Sequence, residues 1–254
     1  MTMLPKPSGR KLGLVIDLDT CVGCQACAVA CKSWNTAGAA LPLSDQKPYG
    51  AEPSGTWLNR VHSYEVTPDP ARCDRPDAPS QIVHFPRSCL HCEEAPCVTV
   101  CPTGASIKRA EDGIVLVEED KCMGCGLCAW ACPYGAREMD AAAGVMKKCT
   151  LCVDRLDDAS LPAEERVPAC VRACPTQARH FGDLGDPDSA ASRLVAERGG
   201  VALMAGLGAK PVNRYLPPRP KADIDGPAAR AAALEDAAPG GFLGWLDRAL
   251  DRIA

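Results

Sequence analysis

Aromatic residues are scarce in this 254-residue chain: Phe, Tyr and Trp together make up 4% of it. Rings carry much of the burial in ordinary cores. Apolar residues at 46% still allow a core, so something other than rings must fill part of the interior. Long apolar runs are missing too. The best, GGVALMAGLGA at 199–209, is glycine-rich and far short of the ~20 residues that cross a bilayer. There is no basic excess. The formal charge is -4 with no Lys/Arg stripe, which argues against a nucleic-acid surface. No apolar leader core and no twin arginine precede the first cysteine. On its own the chain is therefore expected to stay in the cytoplasm, or to be exported only with a signal-bearing partner. No Ser/His/Asp constellation and no phosphate-cradling glycine loop occur, so no substrate chemistry is expected on this chain.

Cysteine is what the chain has in excess, with 17 residues. Sixteen fall into four groups: Cys21, Cys24, Cys27, Cys31; Cys89, Cys92, Cys97, Cys101; Cys122, Cys125, Cys128, Cys132; and Cys149, Cys152, Cys170, Cys174. Cys73 stands apart and reads as a free surface thiol. Disulfides fit badly, because a leaderless chain in a reducing compartment should not depend on eight bridges. Zinc would suit the fourth group alone, Cys-x2-Cys-x17-Cys-x3-Cys. The first and third groups, both Cys-x2-Cys-x2-Cys-x3-Cys, are too compact for two pairs straddling one tetrahedral ion. The same spacing is the bacterial ferredoxin signature, in which three cysteines wrap one cube and the fourth serves the neighbouring cluster. Proline follows Cys101, Cys132 and Cys174, where it fixes φ and ends the turn; Lys32 follows Cys31 instead. Gly23, Gly124 and Gly126 lie between ligands, where the backbone must approach sulfide closely. Sixteen thiolates make four [4Fe–4S] clusters. Each carries about -2 when oxidised, so the loaded protein is more acidic than its formal count.

Short β-branched runs precede the first three groups, KLGLVIDLDTC (11–21), QIVHFPRSC (81–89) and GIVLVEEDKC (113–122), and read as strands feeding each cysteine loop. A helical turn follows, as in CAVACKSWN, and ARHFGDL (178–184) reads as a closing strand. The repetition predicts a duplicated small α+β unit. Residues 32–80 form a loop-rich insertion with a hairpin and one strand at 56–66. The insert at 153–169 is polar and predicted exposed. In DPDSAASRLVAERGG, Ser189 is expected to cap a helix that Gly199 and Gly200 end. Four prolines in KPVNRYLPPRPK (210–221) predict an extended strap on the surface. The tail, 221–254, ends in an amphipathic helix with Phe242, Leu246, Ala249 and Ile253 on one face.

Four groups in this order, the long spacer inside the fourth, and the ARHFGDLGDP and YLPPR segments resemble the four-cluster iron–sulfur subunits of the dimethyl sulfoxide reductase superfamily of molybdoenzymes. The likeness spans roughly 11–220. It implies an α+β fold of two bacterial-type 2[4Fe–4S] ferredoxin-like units with loop insertions, a C-terminal strap and a helix. Residues 1–31 with 133–184 would hold clusters one and two, residues 81–132 clusters three and four, with 185–220 a helix and strap. It implies that cluster one takes Cys21, Cys24, Cys27 and Cys174, and cluster two Cys31, Cys149, Cys152 and Cys170. Cluster three takes Cys89, Cys92, Cys97 and Cys132, and cluster four Cys101, Cys122, Cys125 and Cys128. The first then faces a molybdenum-cofactor catalytic subunit and the fourth a quinone-binding integral membrane subunit, through which this chain is peripheral to the membrane. Some relatives carry Trp where this chain has Cys125, so four cubanes are expected here. PLSDQKPYGAEPSGTWLNRVHSYEV and PRSCLHCEEAPCVTVCPTGAS are most similar to sulfite dehydrogenase iron–sulfur subunits. Dimethyl sulfoxide, thiosulfate, polysulfide and tetrathionate reductases share the same cysteine plan, and a free soluble polyferredoxin carrier is the reading from another class.

Trp130 and Trp34 are expected to pack over cubanes. His91 and His180, near the cysteine groups, are read as packing residues or as donors to a cluster, and His62 and His84 show no partner. Lys108, Lys121, Lys147 and Lys148 flank the groups, either to moderate cluster charge or as a solvated face.

Overall fold

The computed structural model describes residues 3–6, 9–36, 56–66 and 80–219. Strand β1 (Leu12–Asp17) is LGLVID, and every residue of it is buried. A strand covered on both faces reads as a continuous apolar run rather than an alternation. β1 is the middle of a three-stranded sheet with β8 (Arg179–Asp183) antiparallel on one side and β9 (Arg214–Leu216) parallel on the other. Its register sets Val15 opposite His180 and Ile16 opposite Tyr215. Three two-stranded ribbons complete the β structure of the described residues: β2 (Asn59–Val66) with β3 (Gln81–Ser88), β4 (Ser106–Lys108) with β5 (Val115–Val117), and β6 (Glu138–Asp140) with β7 (Val145–Lys147). The hairpin expected inside 32–80 thus takes its second strand from beyond residue 80.

The helices are α1 (Ala26–Asn35), α2 (Pro96–Thr99), α3 (Leu127–Trp130), α4 (Val153–Asp157), α5 (Ala169–Arg172) and α6 (Ala190–Arg198). In α1, α2, α3 and α5 the third cysteine of its group is the second helical residue. The fourth follows one turn later; α1 runs on past Cys31 to Asn35, whereas α2, α3 and α5 end their turn there, with the N–H groups of Cys101, Cys132 and Cys174 donating to the carbonyls of Val98, Ala129 and Val171. The one-turn step carries each fourth thiol round to another face. α6 behaves as predicted: Ser189 accepts from the Ser192 N–H, and Gly199 closes the helix at φ 61°. Arg198 pairs with Asp17 at 3.1 Å and locks α6 to β1.

The strap differs from expectation. Val212, Asn213, Tyr215 and Leu216 are at most 3% exposed. Tyr215 stacks on Phe85 with centroids 4.5 Å apart and donates to Pro86 O. Asn213 accepts from Leu14 N–H at 2.9 Å and donates to Cys89 O at 3.1 Å, tying β1 to the second cysteine group. The prolines excluded a helix correctly, but the apolar residues between them bury as an inner strand. The 153–169 insert is exposed in part and pinned by a buried Arg155, which donates to Val167 O and Glu165 O and lies 4.5 Å from the Trp34 ring. Met1–Pro218 is one compact unit; Arg219–Ala254 is a second, of which only Arg219 is described. The predicted tail helix and Cys73 lie outside the described residues.

Candidate functional site

Cysteines make up a large share of the core, alongside Leu14, Ile16, Leu90, Val98, Ile114 and Leu151. The sixteen grouped cysteines are free thiols. They meet in four sets drawn from distant segments. Cys21, Cys24, Cys27 and Cys174 line one cavity, roofed by Val61 and Pro86 of the β2–β3 hairpin. Cys89, Cys92, Cys97 and Cys132 line a second, and Cys101, Cys122, Cys125 and Cys128 a third. Of the remaining four, Cys31 and Cys152 meet at Asn35, whose amide lies 3.7 Å from Cys31 Sγ and 3.6 Å from Cys152 Sγ, with Thr150 holding Asn35 at 3.1 Å; Cys149 and Cys170 join them electrostatically.

Electrostatics draws the same four sets. Burial pushes the Cys31 thiol far up, and Cys149, Cys170 and Cys152 add to it. Cys149 is pushed up to about 12, by burial and then Cys170. Cys92 rises to about 12, by burial and then Cys89, Cys97 and Cys132. Cys128 rises by burial and, less, by Cys101 and Cys122; Cys21 by burial, with Cys27 and Cys174 contributing. Four converging thiols that cannot all ionise alone are a donor set waiting for a cation, and metal loading must release their protons. Among the described residues no three His, Cys, Asp or Glu converge tightly enough for a single metal ion. The thiols stand around a space, as a cube requires and a lone zinc does not. Backbone amides already point at the sulfurs: Ser106 N–H on Cys101, Met146 on Cys122, Ala169 on Cys152 and Ala178 on Cys174, at 3.2–3.4 Å. Three buried N–H groups beside the sets have no protein partner among the described residues: His91 Nε2, Arg137 Nη1 and Arg179 Nε. The residues fit a polar, sulfur-ligated anionic group at every set.

The sets are unequally covered. Every thiol of the Cys31 set is buried, and three of the Cys89 set. Cys24 and Cys125 are exposed. The loops that carry them turn at Gly23, Gly124 and Gly126, all at positive φ. A Cβ on Gly124 would collide with Gly144 O, whereas Gly126 faces open space, so its requirement is conformational rather than steric.

Several residues differ from expectation. Trp130 is 94% exposed and covers nothing among the described residues; Trp34 is half exposed and donates to Asp154 at 2.7 Å. His84 lies against Gly23 and pairs with Ser63 at 2.9 Å. His62 stacks on Tyr64. His91 is fully buried, accepts Val115 N–H on Nδ1, and is held neutral by burial and then by Lys148, Lys108 and Arg137. His180 is half-buried in β8 opposite Val15. Lys148 is buried and donates to Cys149 O, and Lys108 donates to Cys92 O and Gly113 O. Lys121 and Lys147 pair with carboxylates instead. Arg137 and Arg179, both buried among the thiols, were missed. One signal could have found them: CPYGAR (132–137) and CPTQAR (174–179) repeat the same pattern.

Residues 80–184 match a family model described as a 4Fe-4S dicluster domain, and residues 18–36 one described as a 4Fe-4S binding domain. The chain is 58% identical to a sulfite dehydrogenase subunit of Allochromatium vinosum over 209 residues, covering 82% of this chain and 84% of that one. It is 36% identical to a putative dimethyl sulfoxide reductase iron-sulfur subunit of Halobacterium salinarum, over 80% of this chain and 78% of that one. It is also 36% identical to a polysulfide reductase chain of Wolinella succinogenes, over 85% and 98%.

Proposed function

Because this protein belongs to the iron–sulfur subunits of dimethyl sulfoxide reductase-type complexes, we propose that it relays electrons from a molybdenum-cofactor subunit that oxidises sulfite to a quinone-binding membrane subunit. Each four-thiol set would hold one [4Fe–4S] cluster, with the ligands grouped by three cavities as Cys21/24/27/174, Cys89/92/97/132 and Cys101/122/125/128, and by mutual electrostatics around Cys31 as Cys31/149/152/170, second in the series. These are called sets one to four below. A bound cubane supplies one-electron redox chemistry and nothing else.

The observation that carries the reading is the adjacency of the sets. Cys170 of set two feels Cys27 of set one, Cys149 of set two feels Cys89 of set three, and Arg137 touches the cavities of both sets three and four. The sets therefore succeed one another as one, two, three, four. Only the terminal sets leave a thiol in solvent, where electrons must enter and leave. The chain's own residues do the rest. Leu90, His91 and Leu151 keep water out of the interior, and the amides on Cys101, Cys122, Cys152 and Cys174 stabilise negative charge on sulfur. Met123 and Leu127 line the cavity with Cys125, and Trp130 ends the helix that Leu127 begins; all three are exposed apolar residues, which suits the apolar membrane subunit. No helix among the described residues is long and apolar enough to cross a membrane, so that contact is the route to quinone.

The test is anaerobic purification from native membranes, identification of the chains that co-purify, and redox titration followed by EPR. The expected result is a molybdenum protein in the complex, sulfite-dependent quinone reduction and four distinct cubane centres. A chain that elutes alone, or two or fewer centres after full reconstitution, would reject it. Activity with another sulfur substrate and none with sulfite would move the reading to that reductase.

A further inference from the structure

Three buried cations stand at three places among the thiol sets. Arg179 lines the cavity of set one and puts Nη1 3.4 Å from Cys170 Sγ of set two. Its Nη2 donates to Asn59 Oδ1 at 2.7 Å, which fixes the fork. Arg137 lines the cavities of sets three and four together, and Ser106 Oγ holds its Nη2 at 2.7 Å. Lys148 is 3% exposed, donates to the carbonyl of Cys149 in set two, and lines one cavity with Arg137 and with Ser88, the residue before Cys89 of set three. The two arginines occupy the same place in the repeat, five residues past the last cysteine of groups three and four; Ser106 and Thr36 stand there in groups two and one.

Burying a charge is costly unless it is compensated. None of the three has a carboxylate partner among the described ion pairs, so the compensation must come from the sulfur sets. Burial alone would lower Arg137 and Arg179, yet the neighbouring thiols outweigh it and raise both.

The structure assigns to each step between successive clusters one buried cation, Arg179 between one and two, Lys148 between two and three, and Arg137 between three and four, which stabilises the transferred electron on either side of its step. This rests on the four-cluster relay proposed above. A cation facing both neighbours favours the reduced form of each, because reduction adds one negative charge to either cube. As the electron leaves one cluster it arrives on the next, so the charge facing the cation is unchanged during the hop. Each cation therefore raises the potentials of two clusters together and leaves the gap between them nearly constant. Lys108 is the contrast: it touches set three alone, through Cys92 O.

The test is EPR-monitored redox titration of the complex carrying Arg179→Gln, Lys148→Gln, Arg137→Gln or Lys108→Gln, with iron and sulfide measured on each. Each of the first three should lower two of the four midpoints, by about tenfold in the oxidised-to-reduced ratio, or ~59 mV for one electron. The moved pairs should overlap in a chain: one centre common to Arg179 and Lys148, another common to Lys148 and Arg137. Lys108→Gln should move one centre. Four loaded clusters with unmoved potentials, or equal shifts at all four, overturn the assignment while leaving the relay intact; fewer than four centres in the unaltered complex overturns the relay itself. Should a Gln variant fail to load, Arg→Lys and Lys→Arg keep the charge, and shifts in them that spread beyond the expected pair count against it. In the unaltered chain, 15N-arginine labelling should give nitrogen couplings at reduced clusters by pulsed EPR; none at any cluster also overturns it.

Discussion

All four thiols of set two are buried, whereas set four leaves Cys125 in solvent. The difference follows from what each set is built with. Set two draws on α1, α5 and the turn before α4, and Asn35 and Arg179 reach its sulfurs from the side chains around it. Set four draws three of its thiols from one short loop, 122–128, and its Cys125 lies exposed. Set two, drawn from three segments, is fully covered by them; among the sets wrapped largely by one loop, the inner set three is mostly buried and the end sets one and four each leave a thiol at the surface. Inner sets should therefore carry folding, and outer sets should carry exchange with partners. The largest expected effect tests that directly. Cys149→Ser should lose more than its own cluster, because Cys31, Cys152 and Cys170 then face a buried, incomplete donor set, and metal binding is part of folding here. Cys125→Ser should alter one centre and leave three. Iron per chain and the EPR centre count read both; equal losses would end the distinction.

Next in size is Asn213→Ala. It strands the buried Leu14 N–H and Cys89 carbonyl, at about 1–3 kcal/mol for each unsatisfied group. Since Asn213 joins β1 to set three, unfolding of the loaded protein should shift by a total of about 2–6 kcal/mol. A shift below about 1 kcal/mol would mean that water replaces the amide and that β9 is not part of the inner scaffold.

The unequal legibility of these regions has a physical basis. The cysteine groups could be read because ligand spacing is local: the loop that wraps a cube is written in consecutive residues. β1, β3, β8 and the Ser189 and Gly199 ends of α6 were legible for the same reason. The strap was not. Prolines in 210–221 rule out a helix but do not distinguish an exposed extended segment from a buried one, and its partner β1 is some 200 residues away. Arg137 and Arg179 were hidden because an arginine reads as surface until its compensating charge is known, and here that charge belongs to thiols from other groups. Trp130 was misplaced because a residue between two ligands, Cys128 and Cys132, can point to the cluster or away from it, and spacing alone does not choose.

The two glycines of the outer loop 122–128 separate shape from space. Gly124→Ala brings a Cβ onto Gly144 O at φ 69°, so the 122–128 loop must move and the fourth centre should load poorly. Gly126→Ala meets nothing within 4 Å and has only the left-handed backbone against it, about 1–2 kcal/mol. Comparing the iron content and stability of the two variants decides whether set four is limited by packing or by turn geometry. Equal behaviour would show that the Gly144 contact yields freely.

The smallest effect on the isolated chain is expected where exposure is greatest. Trp130 is 94% exposed and touches no buried neighbour, so Trp130→Ala should change stability by no more than about 0.5 kcal/mol. A large ring held in water at the end of the short helix that carries Cys128 has no folding role to explain it. Aromatic anchors of this kind dominate protein interfaces. The same substitution should therefore leave four centres with unchanged potentials while weakening association with the membrane subunit at least tenfold, measured by co-purification and quinone-dependent turnover. If turnover and assembly survive Trp130→Ala and the Met123/Leu127 double substitution alike, set four is not the exit, and the exposed Cys24 of set one becomes the end to test.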